Sequence, residues 1–301
     1  MSTRETITRQ HLIIQKVRKF PASFSEICDY LKEQSEIQGY NFNVSRRTFE
    51  RDLADIRFLY GIDIRLNRTD KVYYITHEEE HDIHQRMLES FDIFNALNLY
   101  ETISDYIHLE KYPPRRTENI NGLLHAIKNK LQISFLYHKF EEKEPSERTV
   151  EPYALKEFKN RWYIVAKDLK DNKIKNFSLD RLIAMEIKKK HFQWPENFNV
   201  KEHFKHYFGI IHLGQKEPSE IILSFSPSQG KYIKTLPLHE SQTILKDNEE
   251  ELRIRLNLVI TYDFLMEILS FGQEVKVIQP NDLIREIKKN YQNALKQYDH
   301  D

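Results

Sequence analysis

Residues 44–61 read VSRRTFERDLADIRFLYG, and this stretch decides how the N-terminal part of the chain folds. Ser45 is a good N-cap, because its hydroxyl can accept from an otherwise unpaired amide of the first helical turn. Phe49, Leu53, Ile56 and Tyr60 fall at i, i+4, i+7 and i+11, one apolar stripe of a helix. Arg47 and Arg51 stand on the opposite face, with Arg46, Thr48 and Glu50 to either side. Gly61 closes the helix where a left-handed residue costs little. A short amphipathic helix with guanidinium and hydroxyl groups near its N-terminus suits insertion into a DNA major groove. Taken alone, the same residues also describe a solvated basic face.

The flanking sequence weighs on that choice. Ile13, Ile14, Val17 and Phe20 mark a first helix that stops at Pro21. Phe24, Ile27, Cys28 and Leu31 then repeat at i, i+3, i+4 and i+7 behind Ser23 as a cap. On the C-terminal side, Ile62–Asp63–Ile64–Arg65–Leu66 alternates like a half-buried strand. Asn67 to Lys71 supplies turn residues and Val72–Tyr73–Tyr74–Ile75 reads as the returning strand. Three helices and a hairpin are the parts of a winged helix-turn-helix, and Arg65, Arg68 and Lys71 put positive charge on the wing, where phosphates lie. Ser45-Arg46-Arg47-Thr48, then Arg51-Asp52-Leu53, then Tyr60-Gly61-Ile62 resembles the winged helix-turn-helix of bacterial deoxyribose-operon-type repressors, over residues 1–77. The DNA-binding candidates are therefore Arg46, Arg47, Thr48 and Arg51 at base edges or in the groove, and Ser45, Arg65, Arg68 and Lys71 at phosphates.

Composition bounds the rest. The 301 residues are enough for two or three domains, and 46 lysines and arginines balance 46 aspartates and glutamates. Nucleic-acid binding must then come from local patches, not from a global basic excess. None of the 7 glycines builds a phosphate-cradling loop, which weighs against nucleotide hydrolysis. The absence of a leader-like or long apolar run predicts a cytoplasmic protein without a membrane span. Cys28, on the apolar face of the second helix, reads as core.

Residues 78–122 read as a helical linker. From about His81 to Leu109, apolar residues including Leu88, Phe91, Phe94, Leu97 and Tyr100 spread over more than one face, as in a helix buried between elements or subunits. Lys111-Tyr112-Pro113-Pro114-Arg115-Arg116 breaks the pattern, and a further helix is expected from Glu118 to Leu131.

From Gln132 the period changes to two. Ile133, Phe135 and Tyr137 alternate; Val150 to Leu155 reads as a strand edged by Pro152; Arg161 to Ala166 and Ile174 to Leu182 are dense in strand formers, joined through an Asp171–Asn172–Lys173 turn. Short antiparallel strands of this kind predict a small barrel. Arg148-x-x-x-Pro152, Arg161-Trp162-Tyr163-Ile164-Val165-Ala166 and Phe177-Ser178-Leu179-Asp180-Arg181-Leu182 resemble the WYL domain, over residues 123–208. Two positions depart from the family: Ile164 replaces its leucine, and Ser178 stands where it commonly has arginine. The resemblance implies a bacterial transcription regulator whose Sm- or SH3-like barrel senses a ligand, a nucleotide or single-stranded nucleic acid. Carried over by position, the ligand-binding candidates are Tyr137, Arg148, Tyr163, Ser178 and Arg181, with His138 and Lys139 second. Arginine can grip phosphate at two points and tyrosine can stack on a base, yet Arg148 and Arg181 read equally well as structural ion pairs. Trp162 reads as barrel core, as do Phe177 and Leu179.

Residues 209–301 follow a β-α-β-β-α-β order, which suggests a ferredoxin-like sandwich and resembles the C-terminal extension that accompanies WYL domains. A small open sheet of this kind predicts a two-fold dimer. The 13 histidines include His203 and His206 three apart, but no pair has a third ligand at metal spacing. No serine sits in a nucleophile elbow, and Glu141–Glu142 and Glu249–Glu250–Glu251 read as solvated turns. The expectation is an α+β multidomain chain, not an enzyme, without cofactor or metal. It is expected to be a homodimeric repressor that reads a pseudo-palindromic operator and answers a nucleotide or nucleic-acid effector. The alternative is a nucleic-acid-binding accessory module in phage defence or DNA repair, with no operator of its own.

Overall fold

The computed structural model describes residues 3–78, 90, 117–196, 198–214 and 216–298. The chain divides into two compact units, residues 1–110 and 111–301. The helix expected from His81 to Leu109 lies, Ser90 apart, outside the described residues, and so does the break at Lys111 to Arg116.

In the first unit, α1 (Thr3–Lys19), α2 (Phe24–Gln38) and α3 (Arg46–Tyr60) precede an antiparallel hairpin of β1 (Ile62–Asn67) and β2 (Val72–Glu78). The termini follow local chemistry. Ser23 and Glu26 form a reciprocal capping box, and the Ser45 hydroxyl accepts from the Thr48 amide. Gly39 and Gly61 end their helices at φ of 69° and 64°, where a side chain would be strained. Phe49 packs edge-on to Phe24 and Tyr73 with centroids 5.2 and 4.9 Å away, joining helix, helix and wing in one core with Ile13, Ile27, Leu31 and Ile56. Ala22 pairs with Tyr73 through bonds of 3.1 and 2.7 Å in both directions, a short third strand beside the hairpin. Two expectations are corrected. Phe20 lies past the end of α1 and is 69% exposed, because the residue before Pro21 is pushed out of helical backbone and so off the apolar face of the helix. Cys28 is only half-buried, one position off the Ile27–Leu31 line that faces α1 and α3.

In the second unit a 3-10 turn (Thr117–Asn119) leads into α4 (Ile120–Lys128), shorter than the helix expected from Glu118 to Leu131. Lys130 takes a left-handed φ of 54° and turns the chain into β3 (Leu131–Tyr137). β4 (Ser146–Phe158), β5 (Arg161–Asp168), β6 (Lys173–Ser178) and β7 (Leu182–His191) complete an antiparallel sheet of order β6-β5-β4-β3-β7. β4 shifts register between Pro152 and Ala154, where proline has no amide to donate, and this bends the long strand. The single strand expected over Ile174 to Leu182 is not present. β6 stops at Ser178, a 3-10 turn covers Leu179–Arg181, and β7 departs to pair with β3 on the other edge. β7 ends in the consecutive charges Lys188, Lys189 and Lys190 and has no clean apolar alternation, so nothing local in the sequence marks it as a strand.

One face of this sheet carries Ile133, Phe135, Val150, Ile164 and Phe177 against Leu123 and Ala126 of α4. Part of the opposite face, at Ala154 and Val165, is covered by Phe198, by Phe204 of the short α5 (Val200–Phe204), by Tyr207 and by Val259.

The C-terminal part runs β8 (Ser219–Phe225), α6 (Pro227–Thr235), β9 (Thr243–Asp247), β10 (Leu252–Leu258), α7 (Tyr262–Ser270), β11 (Val275–Gln279) and α8 (Asn281–Leu295). Its antiparallel sheet has order β11-β8-β10-β9. The β-α-β-β-α-β element order is the one expected. Ile221, Leu223, Leu252, Ile254 and Leu256 alternate into a core closed by Ile233, Phe264, Ile268 and Leu283. The Asp263 carboxylate accepts the amides of Ile210 and Ile211 at 2.8 and 2.9 Å, tying the connection between the two sheets to the start of α7.

Candidate nucleic-acid interface and effector cluster

The face of α3 away from Phe49 and Ile56 is open: Arg47, Glu50, Arg51 and Ala54 are exposed. The remaining predicted groups are held. Arg46 donates from Nη2 to the Tyr73 hydroxyl at 3.2 Å and lies 4.9 Å from the Phe24 ring centre, so it braces α3 against α2 and the wing. Ser45 Oγ caps the Thr48 amide at 3.2 Å and stands 2.9 Å from Thr48 Oγ1, which commits both hydroxyls to the helix start. In the wing, Arg65 donates from Nε to Asp63 at 2.9 Å in an exposed pair worth little, which a phosphate can replace. Arg68 and Lys71 are exposed at the hairpin tip. The Asn67 side-chain oxygen Oδ1 accepts from the amides of Thr69 and Asp70, which fixes the turn between the strands.

A positioning feature escaped the sequence reading. Asp52 lies on α3 between the stripe and the exposed face, yet it is fully buried. Arg9 of α1 grips it at two points, Nε to Oδ2 at 2.7 Å and Nη2 to Oδ1 at 3.0 Å, with both side chains at 0% exposure. One helical turn on, Gln10 donates to Asp55 at 3.3 Å. These bonds set the rotation of α3 about its axis, and so which arginines face outward.

The WYL-motif residues separate into two places. Tyr137, Tyr163, Ser178 and Arg181 come together at the end of β6. The Ser178 amide donates to the Tyr137 hydroxyl at 3.2 Å, and Ser178 faces Tyr163 across the strands. Burial pushes the Tyr137 and Tyr163 hydroxyls above their ordinary range, so both are neutral donors near pH 7. The Arg181 guanidinium lies 5.0 Å from the Tyr137 ring centre and 4.7 Å from that of Phe140, while its Nε is buried without a hydrogen-bond partner. Phe140 is 75% exposed. Asp180 accepts from the Ser178 hydroxyl and pairs with Arg161 at 3.0 Å. Strand alternation continued past Phe177 would put Arg181 on the side of Phe177 and Leu179; the 3-10 turn releases it from that alternation and lays it over the rings. Phe140 was not foreseen, since it sits in a turn of charged residues.

Arg148 stands elsewhere. It faces Phe135 across β3 and β4, 6% exposed, with Nη1 3.6 Å from Asp168 and Nη2 donating to Ser146 at 3.0 Å. Asp168 is itself fully buried and also takes Lys175 Nζ at 2.7 Å and the Lys170 amide at 3.0 Å. Of the two readings left open for Arg148, the buried ion pair is the arrangement observed. His138 contributes its backbone amide to the Arg181 carbonyl at 3.2 Å, and Lys139 pairs with Glu142 at 2.5 Å. The cluster thus offers a delocalised cation between two ring faces, a geometry that can stack with a planar group and receive an anion.

Among the described residues, no group of three or more His, Cys, Asp or Glu could hold a metal ion, and no helix is long and apolar enough to cross a membrane.

Residues 118–187 match the WYL domain family and residues 217–295 match the WCX domain family. No curated protein matches the chain. Among solved structures it is similar to proteasome accessory factor B/C (PafBC) of Arthrobacter aurescens, at 17% identity and a TM-score of 0.36, covering 95% of this chain and 46% of that one. It is also similar to a structure described as a CRISPR Cas-related protein, at 13% identity and a TM-score of 0.41, covering 99% of this chain and 85% of that one. The chain therefore spans about half the length of the PafBC chain.

Proposed function

We propose that this chain, which carries a WYL domain and a WCX domain, is a DNA-binding transcriptional regulator that answers a nucleotide or nucleic-acid effector. Residues 1–77 act as a winged helix-turn-helix, joined by a helical linker (78–122) to an Sm- or SH3-like barrel (123–208) and a ferredoxin-like extension (209–301) that pairs two copies. The protein works in the cytoplasm as a homodimeric repressor without catalytic activity. The observation that carries this reading is the outward display of Arg47 and Arg51 on a helix whose cap, rotation and wing contacts are all fixed.

Arg47 and Arg51 read base edges, while Arg68 and Lys71 at the hairpin tip meet phosphates. Two copies read the half-sites of a pseudo-palindromic operator about one helical turn, or a multiple of it, apart. The effector enters the Arg181–Tyr137–Phe140 cluster. It releases or tightens DNA only by binding one arrangement of the dimer better than the other.

Selection of bound duplexes from a random DNA pool, at stated salt concentration, tests this reading. The expected result is an inverted repeat. Recovery of no motif, with binding that fades as salt rises, overturns the operator reading and leaves a sequence-independent accessory module.

A further inference from the structure

The face of the five-stranded sheet opposite its core is covered at Ala154 and Val165 and left open farther along β3, β4 and β5. There Glu151 faces Lys167 across β4 and β5, with Gln132 of β3 on its other side, on the floor of a depression of about 760 Å³. Tyr153, Phe192 and Trp194 form one wall, with Tyr153 5.8 and 5.3 Å from the other two ring centres. Tyr153 and Phe192 are buried, whereas Trp194 is only half-buried and presents ring surface to the opening. Lys190 and His191 stand on the rim, with Glu196 as its carboxylate.

The floor is polar, partly buried and loosely bonded. Gln132 is 5% exposed and the Glu151 side chain 13%. Glu151 has three neighbours: Gln132 Nε2 at 3.4 Å, the Tyr153 hydroxyl at 3.3 Å and Lys167 Nζ at 3.6 Å. All three lie beyond the usual 2.7–3.2 Å range of a good N–H or O–H bond to oxygen. A carboxylate accepts at both oxygens, so this one has capacity for two adjacent N–H donors. Burial, and then Glu151, push the Tyr153 hydroxyl up to about 12, which keeps it a donor. A ligand that completes this site is planar enough to lie along Trp194, carries paired N–H donors on one edge and bears an anion that reaches Lys190.

We propose that this depression is a second binding site, separate from the Arg181 cluster, that takes a guanine nucleotide with its base against Trp194, its N1–H and 2-amino edge on Glu151 and its phosphate at Lys190. Guanine is the common base that presents two adjacent donors. Adenine offers an acceptor at the corresponding ring nitrogen, which would face the carboxylate. The nucleotide is either free or an unpaired guanine in a single strand, since both present the same groups.

Trp162 and Trp194 are the only tryptophans in the chain, so in a Trp162→Phe full-length protein the emission reports Trp194 alone. Titration with dGMP is expected to change that emission saturably, with dAMP at least ~10-fold weaker because its donor pattern mismatches a buried acceptor. Glu151→Gln is expected to abolish that discrimination, and Arg181→Ala to leave it intact. Should Glu151→Gln fail to fold, the exposed Lys190→Ala serves instead, with a several-fold loss of dGMP affinity expected. Absence of a saturable change overturns the proposal, as does an equal response to dAMP or to inorganic phosphate. So does discrimination that survives Glu151→Gln, dGMP affinity unchanged in Lys190→Ala, or a response lost in Arg181→Ala. A short oligodeoxynucleotide with one guanine, compared with one lacking guanine, distinguishes a strand from the free nucleotide as the source. None of these readouts depends on duplex binding.

Discussion

Replacing Asp52 with alanine tests how α3 is held. The Arg9 guanidinium and the Asp52 carboxylate are both at 0% exposure and meet at 2.7 and 3.0 Å. Removing the carboxylate takes both of these bonds away from a fully buried guanidinium, a change that costs about 3–5 kcal/mol. Against a domain stability of about 5–15 kcal/mol, this is enough to lower the urea midpoint of the first unit by about 2 M at an m-value of roughly 2 kcal/mol/M. The assay separates the units cleanly. Both tryptophans, Trp162 and Trp194, belong to the unit 111–301, so emission follows that unit while the helical circular dichroism also follows α1, α2 and α3. Asp52→Ala is expected to advance part of the dichroism transition and leave the emission transition in place. Arg9→Met combined with Asp52→Leu replaces the pair by apolar volume and is expected to recover most of the loss. A loss under about 1 kcal/mol in Asp52→Ala, or a double variant no more stable than the single one, refutes the reasoning that desolvation makes the pair obligatory.

Arg47→Ala is expected to weaken operator binding by about 1–3 kcal/mol and relax specificity at one base position without moving the melting temperature; unchanged operator affinity removes Arg47 from the reading face. Arg68→Ala and Lys71→Ala are expected to weaken binding evenly across sequences and each lower the salt-dependence slope by about 1, measured by titration at several salt concentrations. Gly230→Ala places a Cβ 2.6 Å from Leu252 Cβ and is expected to cost about 1–3 kcal/mol in thermal unfolding of the C-terminal sandwich, with an unchanged melting temperature as the contrary result. His203 stacks on His212 with ring centres 3.8 Å apart, and burial, then His212, hold its imidazole down at about 4 instead of 6.5. The unfolded chain therefore takes up the proton first. This contribution is whole above pH 6.5 and is lost as pH falls through 4. After solvent screening it amounts to about 1–3 kcal/mol. His203→Phe is expected to flatten the stability profile across that window, and a profile as steep as the parent's counts against it.

The sequence alone determined the elements whose signals are local. Ser45, Gly61 and the Phe49–Tyr60 stripe define α3 within one residue, because caps and helical periodicity act over a few positions. The β-α-β-β-α-β order of residues 219–295 was legible in the same way, since β8 and β10 alternate in burial and α6 and α7 are capped by Ser226 and Thr261. What only the tertiary structure decided are the relations between distant residues. Arg9 and Asp52 are 43 positions apart, and a lone aspartate on a helix carries no mark of burial. Arg148 met Asp168 instead of the Arg181 cluster because strand register, not motif membership, sets which side chains share a face. Arg181 lies over Tyr137 and Phe140 because a 3-10 turn interrupts the alternation that the sequence implied. The depression at Gln132, Glu151 and Lys167 exists because three strands align these residues and the chain around Trp194 folds back beside them, an outcome of packing that periodicity within any single strand does not encode.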